Sequence, residues 1–109
     1  MKKLILYSII ISLGFSITLQ EAYDNAESAN GYDKYVVLEP NQIYEAGLGI
    51  FEGNVYINCK GAIIDLLGGA GIWLFSDEYY TANLDIEYCT IFDGETSGLN
   101  FMGISTGNI

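Results

Sequence analysis

Three acidic residues of this chain are spaced so that they could share a cation. Asp65 and Asp93 occupy matching places in two similar stretches, and Glu95 follows close after Asp93. Carboxylates brought together either raise one pKa or recruit a positive ion. Calcium, which takes about six to eight oxygen ligands, is the ion such a set would hold. The plainer reading makes both aspartates turn residues that face water and bond their own backbone, and it is preferred. No other cofactor is expected.

A second group lies in Ser76-Asp77-Glu78-Tyr79-Tyr80-Thr81, the main break between apolar runs. Asp77, Glu78, Tyr79 and Tyr80 join two acids to two aromatic rings. That combination can stack on a sugar ring and bond its hydroxyls, and loops on rigid scaffolds often carry function. Trp73 lies between Ile72 and Leu74, so alternation turns it outward, either as a sugar platform or packed under a loop. An ordinary solvated loop and a packed Trp are the preferred readings. Cys59 and Cys89 are the only cysteines. Two readings stand: stacked inward thiols behaving as small hydrophobes, which is preferred, or a disulfide.

These residues are positioned by short strand-like runs that recur about every 28 residues. Asn54-Val55-Tyr56-Ile57, Asn83-Leu84-Asp85-Ile86 and Asn108-Ile109 open the units, and Gly71-Ile72-Trp73-Leu74 and Gly98-Leu99-Asn100-Phe101 close two of them. Val55, Ile57, Ile72, Leu74, Leu84, Ile86, Leu99 and Phe101 alternate with polar residues, as a strand with one buried face requires. Gly, Asn and Asp fill the gaps where the chain must turn. Helical periodicity is absent from this region, so the fold class is all-β.

The runs Asn54-Val55-x-Ile57-x-Cys59, Ala62-Ile63-Ile64-Asp65, Gly71-Ile72-x-Leu74, Leu84-x-Ile86-x-x-Cys89-Thr90-Ile91 and Gly98-Leu99-x-Phe101 resemble the right-handed parallel β-helix, pectate-lyase-like superfamily. Val36–Tyr44 looks like the capping coil of such proteins. The resemblance implies a right-handed parallel β-helix solenoid over 34–109, whose open end would pair with further coils beyond Ile109 or, on the competing reading, with another chain. It also implies polysaccharide as the partner, with lyase or glycoside hydrolase activity if the whole protein is an enzyme. Lyases of that superfamily use acids for calcium and an Arg or Lys as base, and the related galacturonases use clustered Asp. This chain has no Arg, Lys60 has no recognisable partner motif, and neither Asp65 nor Asp93 sits in the galacturonase patterns. No catalytic residue is assigned.

Lys2-Lys3 followed by the apolar Leu4–Leu19 reads as an export signal, too short for the roughly 20 residues of a membrane span, with an uncleaved anchor as the other reading. The expected organisation is a signal peptide at 1–22, an acidic flexible leader at 23–33, and the β-helix from 34. The product would be extracellular, on the cell surface or periplasmic, and off the membrane once cleaved. The net charge of −10, with four basic residues in all, excludes nucleic acid, which needs cations against its phosphates. Anionic polysaccharide would be repelled as well, unless metal ions bridge it. The expected function is the scaffold of an exported carbohydrate-binding or carbohydrate-processing protein. A non-enzymatic adhesin or structural solenoid, and a periplasmic metal-handling protein, stand as the other readings.

Overall fold

The Tyr-Val-Val, Asn-Val-Tyr-Ile-Asn and Asn-Leu-Asp-Ile-Glu runs become strands because their branched and aromatic residues fit a pleated, half-buried surface. The computed structural model describes residues 17–69, 71–95, 98–103 and 106–109. Its elements are β1 (Ile17–Thr18), α1 (Leu19–Asn25), β2 (Lys34–Val37), β3 (Ile43–Glu45), β4 (Leu48–Ile50), β5 (Gly53–Asn58), β6 (Ile63–Asp65), β7 (Ile72–Ser76), β8 (Ala82–Glu87), β9 (Thr90–Phe92), β10 (Leu99–Gly103) and β11 (Thr106–Asn108). Three parallel sheets result, ordered β1-β3-β6-β9, β10-β7-β4 and β11-β8-β5-β2.

The expectation of a right-handed parallel β-helix solenoid is overturned. The described residues form a small, compact, nearly all-β domain of three short parallel sheets and one short helix. A constant repeat is also missing from the pairing. Tyr44 faces Ile64 but Ile64 faces Ile91, and Lys34 faces Val55 while Val55 faces Leu84. The offset between partners therefore changes from strand to strand. The physical reason is that alternation specifies which face of a strand is buried, whereas the connections, which differ in length, set which residue meets which. The third unit shows the consequence. Thr106, not Asn108, faces Asn83, and Asn108 faces Asp85. The slip is by two residues.

The core lies between the three sheets. Val55, Ile57, Ile72, Leu74, Leu84 and Ile86 are buried, as alternation predicts, and Leu99 packs partly buried against them. The Phe101 side chain lies outside the described residues. Leu38, Leu48, Ile50, Ile64 and Leu66 complete the interior. At the N-terminal end Leu19 of α1 is fully buried and closes it. Thr18 caps this helix, its Oγ1 accepting from Glu21 N at 3.0 Å, which satisfies one of the free amides of the first turn. Residues 17–22 of the expected signal segment are described in β1 and α1, while residues 1–16 lie outside the described residues. Residues 23–33 carry the end of α1 and an antiparallel Ala29–Tyr32 bridge.

Cys59 and Cys89 form a disulfide with Cα atoms 4.9 Å apart. The adjacency expected from sequence is present, and the preferred thiol state is corrected to the bridged one. Asn58 faces Glu87, and Tyr88 turns into the left-handed region (φ 57°), bringing Cys89 back against Cys59.

Candidate functional site

The outward face of the β10-β7-β4 sheet is built on glycine. Gly49 faces Trp73 across the β4–β7 pair, and Trp73 faces Asn100. A Cβ on Gly49 would lie 2.8 Å from Phe51 Cε2, so the Phe51 ring crosses this strand only because the side chain is missing. Gly47 passes Gly71 so closely that Leu48 N donates to the Gly71 carbonyl at 3.2 Å. Between the rings of Phe51, Trp73 and Phe75 lies an open groove of about 490 Å³, floored by Gly47, Gly49 and Gly71 and edged by Gln20 of α1. Phe51 is 64% exposed and Trp73 half-buried. Among the described residues no acidic or basic side chain lines the groove. A concave apolar surface with one polar group at its rim is the usual form of a small-ligand site. Its flat rings favour a ligand with an apolar face.

The expected loop residues stand apart from that groove. Asp77 Oδ1 accepts from Tyr79 N at 2.9 Å and Tyr80 N at 2.7 Å, and Asp77 N donates to the Tyr80 carbonyl. The Asp77 carboxylate therefore holds the loop's shape. The loop is anchored by Ser76, the one buried polar residue among those described. Its Oγ accepts from Ala82 N and donates to Ala82 O. Tyr79 and Tyr80 project into solvent, at 80% and 60% exposure, and Glu78 is exposed.

The three carboxylates expected around calcium are dispersed by register. Asp65 faces Phe92, and Asp93 comes one residue later in a left-handed turn (φ 64°). A shift of one residue sends a side chain to the other face. Asp65 Oδ1 accepts from Leu67 N at 3.0 Å, a turn role. Asp93 and Glu95 are exposed, the Asp93 carbonyl accepting from Gly68 N and Glu95 N donating to Gly69 O. Among the described residues no group of three or more His, Cys, Asp or Glu is placed to hold a metal.

A third feature was not anticipated from sequence. On the β11-β8-β5-β2 sheet Tyr35 faces Tyr56, and Tyr56 faces Asp85. The Tyr35 and Tyr56 rings stack at 4.7 Å, and Tyr32 lies 5.2 Å from Tyr56. Tyr32 Oη donates to Asp85 Oδ2 at 2.5 Å, and Tyr56 Oη donates to Glu87 Oε1. Donation to a carboxylate favours the neutral phenol. The Glu87 bond, aided by partial burial, pushes the Tyr56 pKa up to about 12. The Asp85 bond raises that of Tyr32. The only available hint was the outward position of Tyr56 between the buried Val55 and Ile57, and of Tyr35 beside the buried Val36.

Among the described residues no helix is long and apolar enough to cross a membrane. Comparison with protein-family models, curated proteins and solved structures finds no match to this chain, so none of them supports the resemblance to the pectate-lyase-like superfamily.

Proposed function

We propose that this domain binds neutral glycan on the groove between Phe51, Trp73 and Phe75, as part of an exported carbohydrate-associated protein. The observation that carries the reading is the outward Trp73 lining one groove with Phe51 and Phe75, over Gly47, Gly49 and Gly71. A pyranose presents an apolar face of C–H groups that stacks on such rings, and its hydroxyls stay at the wet rim of the groove. The uncharged lining and the net charge of −10 select against uronic-acid polymers and phosphorylated ligands. The export-signal pattern and the disulfide both suit an oxidising compartment.

Trp73 is the single tryptophan, so its fluorescence reports the groove directly. Titration with neutral glucan, xylan and mannan oligosaccharides should shift or quench this emission for at least one series, and polygalacturonate should not. Trp73→Ala and Phe51→Ala should each abolish binding in a pull-down on the same polysaccharide. Unchanged emission across all three neutral series, in protein with native circular dichroism, would remove the groove from consideration.

A further inference from the structure

The stacked tyrosines of the opposite sheet suggest covalent chemistry independent of glycan binding. Tyr35 and Tyr56 are direct cross-strand neighbours on adjacent parallel strands. Their rings are nearly parallel, 23° apart, with centroids 4.7 Å apart. That is the close end of the range for aromatic pairs. Tyr32 meets the same cluster at steeper angles, 35° to Tyr56 and 48° to Tyr35, and its hydroxyl is turned to Asp85. Tyr56 already shares its phenolic hydrogen with the Glu87 carboxylate. An electron can therefore leave that ring while its proton moves a short way to a waiting base.

We propose that Tyr35 and Tyr56 are an oxidative cross-linking site, joined into an intramolecular dityrosine by a peroxide acting through a peroxidase-type catalyst. Each phenol gives up one electron and one hydroxyl proton. The Tyr56 proton crosses to Glu87 and on to water, and the Tyr35 proton leaves to water. The two phenoxyl radicals form a carbon–carbon bond between ring positions ortho to the oxygens. The hydrogens on those two carbons move to the oxygens and restore both phenols. The peroxide takes up the two electrons and two protons and leaves as two waters. The bond ties β2 to β5, beside the register that β5 and β8 already hold. The Cys59–Cys89 bridge fastens the β5 end to the β8 end, so the two links together would secure three successive strands of one sheet.

The test treats the dilute whole chain with hydrogen peroxide and a haem peroxidase. The expected product is monomeric, has lost two hydrogen atoms, and shows dityrosine fluorescence. Glu39, Glu45 and Glu52 lie between the two tyrosines, so a Glu-specific protease separates them unless they are linked. Mapping should recover a Tyr35–Tyr56 peptide pair. Tyr35→Phe and Tyr56→Phe should each lose this product, while Tyr79→Phe keeps it. Oxidation in concentrated urea should also lose it. The more exposed Tyr79, Tyr80 and Tyr88 provide the contrast. Products that join only separate molecules, an intramolecular Tyr32–Tyr56 link, or an equal Tyr35–Tyr56 yield in urea would overturn the proposal.

Discussion

A Cβ placed on Gly47 would stand 2.1 Å from the carbonyl oxygen of Gly71. Backbone cannot yield as a side-chain tip can, so Gly47→Ala must push β4 away from the start of β7 or break the Leu48–Gly71 hydrogen bond. A cost of about 3 kcal/mol is expected, the upper part of the range for overpacking. Gly61→Ala is the comparison. Gly61 has open space around it but φ of 90°, so only the strain of a left-handed residue applies, about 1–2 kcal/mol. Urea midpoints of the two variants check the order, and a Gly61→Ala cost equal to the Gly47→Ala cost would contradict it.

Reduction of the Cys59–Cys89 bridge should lower stability by about 3–4 kcal/mol, the chain-entropy value for a loop of this length. The check is a pair of denaturant titrations with and without reductant. Alkylation without reductant should leave both cysteines unlabelled. Labelling of either would restore the thiol reading.

Stability should fall at high pH through the tyrosine cluster. The folded pKa of Tyr56, about 12, exceeds its ordinary value of 10.0, so folding favours the protonated phenol. The contribution is fully present below pH 10, declines as pH rises above it, and is gone above about 12. Tyr32 adds in the same direction through Asp85. Tyr56→Phe and Glu87→Gln should each flatten the melting temperature between pH 9 and 12 relative to the native sequence. A native profile already flat over that interval would refute the linkage.

Ser76→Ala should destabilise by about 1–3 kcal/mol, because it removes both Ala82 hydrogen bonds at a buried position. Tyr79→Ala with Tyr80→Ala should change stability by only about 0.5 kcal/mol, since both rings are in solvent. The same double substitution should leave glycan binding at Trp73 intact, because neither ring lines the groove. Loss of binding in the double variant would move the site to the 76–81 loop.

The burial of Val55, Ile57, Ile72, Leu74, Leu84 and Ile86 was legible because a strand's side chains alternate, and that rule acts within a few residues. The nearness of Cys59 to Cys89 was legible from the repeat, since similar runs flank both. Register was legible where matching runs face each other, Ile57 with Ile86 and Ile72 with Leu99, and not elsewhere. It depends on connections of unequal length and on left-handed residues such as Tyr88 and Asp93, whose effect appears only once the strands are paired. One residue of displacement sent Asp93 away from Asp65, and two residues moved Asn108 from Asn83 to Asp85. Tertiary structure alone decided that the parallel strands close as three short sheets under α1 rather than as a solenoid. It also decided that the two sulfurs bond, because a disulfide needs both Cβ atoms in place. The aromatic groove and the tyrosine stack belong to it too. Each joins residues from different strands, and neighbours across a sheet are set by pairing, a non-local property that no window of sequence contains.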